Sequence, residues 1–214
     1  MSWVVVIPVK SPASGKSRLV PGVTDAARAA LARAFALDTI AAARAARSVD
    51  RVIVVGDDVD LSDGAEFLLE PGADGSPAER GLLPAIRHGI AHARAEVPVA
   101  VAVLLGDLPA LTPDELDVAL DAAARHPLAF VRDADGTGTT LATAAEGVAL
   151  DPQFGPASAA RHAAAGFVAL EASATPGLTR DVDTVDGLET VLHHGVGDHT
   201  ADVVAHLAHR KGIS

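Results

Sequence analysis

The feature that most restricts this chain is the alternation of short apolar, β-branched runs with long Ala-rich stretches. Trp3–Val9 and Ala100–Leu105 contain no polar residue, so a strand made from either has no face to offer water and must be covered on both sides. The intervening stretches supply that cover. Ala accounts for 45 of the 214 residues, and it is the strongest helix former. Strands of this kind separated by helices predict an α/β fold, a mostly parallel mixed sheet between helical layers, in one domain over 1–214 with 196–214 as a C-terminal helical tail.

Local signals place the elements. Thr24 reads as the N-cap of a long helix ending near Arg47, with Leu31, Phe35, Leu37 and Ile40 on its inner face. Arg51–Val55 and Ala65–Leu69 read as the second and third strands. Pro71–Pro77 reads as a loop opening onto a helix from about Glu79 to Ala95. Ala100–Leu105 is the best central strand, and Thr112-Pro113-Asp114-Glu115 has the cap, proline and acids of a helix start. Leu128–Arg132 is a strand, Asp133–Thr140 a Gly/Thr loop, and Phe154-Gly155-Pro156 leads into a short helix ending near Ala165. Phe167–Leu170 is another strand, and a helix to about His194 follows Asp181–Thr184.

Charge and composition exclude several function classes. With 17 Lys+Arg against 28 Asp+Glu, a net charge of −11 and 3% aromatic residues, the chain lacks both the cations and the stacking surfaces of a nucleic-acid binder. The absence of Cys removes disulfides, thiolate zinc sites and a thiol nucleophile together. No basic region precedes the first apolar run, and no run reaches membrane length, so the chain reads as cytoplasmic with no membrane partner.

Three groups of residues could carry chemistry. Lys10, Lys16 and Arg18 fall within nine residues of a Gly/Ser/Pro segment directly after the first strand. Gly15, Lys16 and Ser17 match part of a P-loop, but Lys10 stands where its first Gly belongs and Pro21-Gly22 interrupts the helix it needs. A loop of this kind suits phosphate oxygens; the alternative is a solvated loop balancing acids. Asp107 lies just past the central strand, at the edge where open α/β sheets bind ligands. Asp181 and Asp183 share one side of an extended segment. Hard carboxylate oxygens without Cys or paired His suit Mg²⁺ or Mn²⁺ better than zinc, unless these Asp are caps and turns, as Asp57, Asp58, Asp60 and Asp63 read. The third group is Gly136-Thr-Gly138-Thr139-Thr140 with Gly155, Pro156, Ser158 and Arg161, where Gly admits close backbone approach, Thr hydroxyls donate to oxyanions and Arg161 could fork onto a carboxylate. Trp3 reads as core, and the dispersed His residues as no zinc site.

Taken in order, Ile7-Pro-Val-Lys10, Gly15-Lys16-Ser17-Arg18-Leu19, Gly106-Asp107-Leu108-Pro109, Gly136–Thr140, Phe154–His162 and Asp181-Val-Asp183-Thr184 resemble the phospholactate/phosphoenolpyruvate guanylyltransferases, from about Val4 to Leu192. The resemblance implies a Rossmann-like three-layer nucleotidyltransferase of the glycosyltransferase-A type. It implies GMP transfer from GTP to phosphoenolpyruvate or 2-phospho-L-lactate, an early step toward the deazaflavin coenzyme F-420. Lys10, Gly15, Lys16, Arg18 and Gly81 then fall at the GTP side. Asp107, Asp181 and Asp183 fall at metal positions, and Thr139, Thr140, Gly155, Ser158 and Arg161 beside the phosphorylated acid, with Lys16, Arg18 and Asp107 the catalytic group. The implied partners are small molecules, and a homodimer stays open. Relatives often read Gly-Leu-Asn where this chain has Gly81-Leu82-Leu83, so an amide able to read the base or ribose is missing. A molybdopterin or sugar-phosphate nucleotidyltransferase, or a silent nucleotide-binding module, are the other readings.

Overall fold

The computed structural model describes residues 2–9, 24–75, 79–182 and 185–211. Among them seven strands form one sheet: β1 (Trp3–Pro8), β2 (Val49–Gly56), β3 (Glu66–Leu69), β4 (Ala100–Leu104), β5 (Leu128–Arg132), β6 (Thr139–Ala144) and β7 (Val168–Ala169). The order across the sheet is β3-β2-β1-β4-β6-β5-β7, with β4 in the middle. β6 alone runs against its neighbours. The helices are α1 (Asp25–Ala45), α2 (Leu82–Ala93), α3 (Pro113–Ala123), α4 (Ser158–Ala164), α5 (Pro176–Thr179), α6 (Val185–His194) and α7 (Asp198–Lys211).

Alternation along the apolar strands sorts their side chains between two cores. Trp3, Val5 and Ile7 join Ala102 and Leu104 beneath α1 and α3, while Val4 and Val6 join Val101 and Val103 beneath α2. The helix α2 sits close because residue 89 is Gly: a Cβ there would strike Val6 Cγ1 and come within 2.9 Å of Val55 Cγ2. Thr24 caps α1 by accepting the Ala27 N–H, and Thr112 and Glu115 form a reciprocal capping box on α3. At the far end of α1, the buried Asp117 carboxylate accepts the N–H groups of Arg47 and Ser48 and pins the turn into β2.

Three features differ from the sequence reading, and the C-terminal helix, expected as such, gains a docking site. The segment expected to be loop through Thr140 becomes strand at Thr139, because pairing with both β4 and β5 outweighs the weak strand signal of Thr-Thr-Leu-Ala-Thr-Ala. The single turn α5 carries no periodicity of its own and is held by Glu115 accepting the Gly177 N–H at 2.8 Å. Leu37 is half-buried rather than core. Here α1 is covered on two sides: Ile40 faces the sheet, Leu31 and Phe35 face Val182, Val191 and α7, and Leu37 falls on the open flank. The C-terminal segment docks on α1 as a helix, with the buried Asp38 carboxylate accepting the His199 and Thr200 N–H groups at 3.0 and 2.9 Å. Among the described residues no helix is long and apolar enough to cross a membrane.

Candidate functional site

The carboxyl ends of β1, β2, β3 and β4 lie along one edge of the sheet, and antiparallel β6 begins there. Asp107 reaches this edge on a loop with its own anchors. The Leu105 N–H donates to Thr140 O at 2.9 Å, and the Gly197 N–H donates to Pro109 O at 2.9 Å. The Leu108 N–H donates to the Thr39 hydroxyl at 3.1 Å, and that hydroxyl donates to Phe35 O at 2.8 Å. Thr39 is the one signal here that patterning left unused, a buried hydroxyl in an apolar helix face. The decisive bond is Val182 N–H to Asp107 O, 3.1 Å, which lays residues 181–182 against the Asp107 loop. Two separate chain segments therefore bring half-buried Asp107 and Asp181 to the same edge.

A pair of carboxylates with no soft ligand beside it fits Mg²⁺ or Mn²⁺, which keep bound waters and accept phosphate oxygens in the remaining positions. Among the described residues no three acidic or imidazole groups form a closed metal cage. Asp183 lies outside the described residues, as do Lys10, Gly15, Lys16 and Arg18.

On the other flank, a β-bulge places the strand start. Arg132 pairs with Thr139 but Val131 with Leu141, so Thr140 is the extra residue, and its Oγ1 is enclosed without a hydrogen-bond partner. The loop before it is closed on itself. Asp133 accepts the Thr137 and Gly138 N–H groups at 2.9 and 2.8 Å, and a Cβ at Gly138 would strike that carboxylate. Gly138 is therefore required by Asp133, while Gly136, at φ +75°, has open space around it.

His162 joins both sides of this flank and went unassigned in the sequence. Its Nε2 accepts the Gln153 N–H at 3.2 Å, which puts the ring proton on Nδ1, where Ser158 O and Thr139 Oγ1 both lie at 3.0 Å. The ring stacks on Phe130 and meets Phe154 and Phe167 edge-on. Desolvation in this apolar cage, aided by Arg161, outweighs the Ser158 carbonyl and lowers its pKa from 6.5 to about 4. The ring is neutral at physiological pH. One expected role changes here. Arg161 does not present a free fork, because Nη2 donates to Gln153 O and Phe154 O, each at 2.8 Å. Pro156 leads into the helix as expected, two residues ahead of its start at Ser158, with Ala157 between them in a left-handed conformation. Gly155, with φ +112°, turns the carbonyls before it toward Arg161, and Ser158 is buried.

Along β2 and β3 the edge carries a second carboxylate device. Glu70 is buried at the end of β3; its Oε1 accepts the Gly81 N–H at 2.9 Å and its Oε2 the Arg80 guanidinium at 3.3 Å, with Asp57 holding the same guanidinium at 3.0 Å. Gly81 then caps α2 at φ +135°, a conformation that favours glycine. This clasp starts the helix at Leu82, later than the expected Glu79. Asp58 and Asp63 do fall into cap and ion-pair roles with Arg33 and Arg44.

Comparison with known proteins identifies the family and the fold. A family model described as guanylyl transferase CofC like matches residues 3–210. A phosphoenolpyruvate guanylyltransferase from Streptomyces scabiei is 49% identical over 214 residues, covering 97% of this chain and 98% of the relative. A phosphoenolpyruvate guanylyltransferase from Geodermatophilus obscurus is 48% identical over 219 residues, covering 99% and 98%. Among solved structures, a protein from Desulfovibrio desulfuricans G20 provisionally assigned to the nucleotide-diphospho-sugar transferases superposes with TM-score 0.68 at 18% identity, over 89% of this chain and 87% of that one. A manganese complex of a Mycobacterium tuberculosis H37Rv protein superposes with TM-score 0.52 at 17% identity, over 90% and 99%. These likenesses show that the chain shares its fold with the nucleotide-diphospho-sugar transferase type.

Proposed function

Because this chain belongs to the CofC-like guanylyl transferases, we propose that it transfers GMP from GTP to phosphoenolpyruvate, or to 2-phospho-L-lactate, with release of pyrophosphate, toward the deazaflavin coenzyme F-420. The observation that carries the reading beyond family membership is the Val182 N–H to Asp107 O bond, which seats Asp181 beside Asp107 on the sheet's carboxyl edge. That edge is where α/β sheets bind nucleotides.

In this reaction a phosphate oxygen of the acid attacks the α-phosphorus of GTP in line. The bond from that phosphorus to the β-bridging oxygen breaks, and pyrophosphate leaves with the electron pair. The attacking phosphate is already ionised, so no general base is required. Positioning and neutralising two polyanions is then the whole task, and the chain supplies it in three places. Asp107 and Asp181, with Asp183 as a third, are the residues that would hold a divalent ion; when bound, it supplies electrostatic stabilisation of the charge on the transferring phosphoryl group. Lys10, Lys16 and Arg18, with Gly15 and Gly81, would take the GTP side. Thr139, Thr140, Gly155 and Ser158 would seat the acid. Arg161 shapes the Gly155 turn through its carbonyl contacts.

Purified protein given Mg²⁺ and GTP should release pyrophosphate with one of phosphoenolpyruvate, 2-phospholactate or 3-phosphoglycerate, and less with ATP. Silence with every acid would sink the reading. Asp107→Asn should abolish turnover while thermal unfolding stays near that of the parent; near-normal turnover would remove Asp107 from the reacting centre.

A further inference from the structure

In a chain with 28 acids and 17 Lys+Arg, several arginines pair with carboxylates: Arg33 with Asp58, Arg44 with Asp63, Arg51 with Glu66, and Arg80 with Asp57 and Glu70. Arg180 does not. It is half-buried, no carboxylate among the described residues pairs with it, and its Nε is enclosed with no acceptor. Arg94 also encloses unpartnered donors, but its Nη1 is committed to Val148 O, at the end of α2 that lies away from the site.

The position of Arg180 is fixed by bonds on either side. Thr179 O accepts the Ala134 N–H at 2.8 Å, from the loop that runs into Thr139, and Val182 N–H reaches Asp107 O at 3.1 Å. Arg180 thus bridges the acceptor flank and the Asp107 loop. Thr140, whose Oγ1 is likewise enclosed without a partner, is tied to the start of the Asp107 loop, its carbonyl accepting the Leu105 N–H at 2.9 Å. An enclosed donor without an acceptor costs about 1–3 kcal/mol, and more where the group is charged. Folds retain such a burden where a ligand removes it.

We propose that Arg180 is an acceptor-binding residue whose guanidinium takes the carboxylate of the phosphorylated three-carbon acid, an inference that rests on the guanylyl transfer proposed above. The planar fork of Arg matches a carboxylate with two parallel hydrogen bonds. The acid's phosphate must stay free to attack, whereas its carboxylate does not react and can be held through the whole step. Binding energy at that non-reacting group orients the nucleophile.

Arg180→Met removes the charge and the enclosed donor at similar length, and Arg180→Lys keeps the charge without the fork. The expected result for Arg180→Met is an apo unfolding temperature equal to or above the parent's, with KM for phosphoenolpyruvate raised about tenfold or more and KM for GTP unchanged. Arg180→Lys should recover part of the loss, and phosphoenolpyruvate should raise the unfolding temperature of the parent but not of Arg180→Met. A purely structural arginine would instead lower the unfolding temperature. That outcome, an unchanged KM for phosphoenolpyruvate, or a rise confined to KM for GTP would overturn the assignment. A parent that binds phosphoenolpyruvate in the thermal-shift arm yet transfers no GMP would refute the functional reading while still testing Arg180.

Discussion

Acidification should weaken this fold through His162. The ring is fully buried, with its two nitrogens engaged by Gln153, Ser158 and Thr139, and its pKa is lowered from 6.5 to about 4. The unfolded chain therefore binds this proton more readily than the native one, so stability rises with pH across the interval between the two values. The contribution is fully present above about 6.5 and is lost as pH falls toward 4. Integrating the linkage relation between pH 7 and pH 5 gives a loss of about 2 kcal/mol from this one group. For a chain of this length that is a fall in unfolding temperature of roughly 4–8 °C. Glu66 and Asp117 do not confuse the interval. Arg51 and His92 lower Glu66. At Asp117 burial raises the pKa, but the Ser48 N–H and Arg47 together hold it below its ordinary value, so both carboxylates lose their contribution only below about pH 4.5. Circular dichroism melts of the parent and His162→Gln at pH 5, 6 and 7 would test this. The variant should be less stable throughout but should lose most of the parent's slope. Equal slopes, or a ring resonance titrating near 6.5 in the native state, would refute the reasoning.

Other outcomes follow from the packing. Asp117→Ala leaves the Arg47 and Ser48 N–H groups without their acceptor in a part-buried turn, and should cost about 1–3 kcal/mol in denaturant melts, with little change in the KM of a folded enzyme. Gly89→Ala drives a methyl into Val6 and Val55, so it should destabilise by about 1–3 kcal/mol even though Ala favours helix, as urea midpoints would show. Asp38→Ala removes the carboxylate that holds the first turn of α7; amide exchange in α7 should accelerate well before that in α2.

What the sequence determined by itself is what neighbouring residues determine. Two-sided apolar runs fixed β1 and β4 as buried strands, Thr24 and Thr112 fixed two helix starts, and the order of short motifs pointed to the family. Each depends on interactions within a few residues, which is why pattern alone reports them. The tertiary structure decided what depends on distant partners. Thr139 and Thr140 became strand because β4 and β5 bracket them, and Arg161 turned to backbone carbonyls because Gly155 presents them. Asp181 met Asp107 only through a bond between segments 75 residues apart in number. His162 and Arg180 were legible as letters but not as roles, since burial and the absence of a partner are properties of a packed interior. Hydrogen bonds and ion pairs are satisfied across space, and the chain's order does not record which space that is.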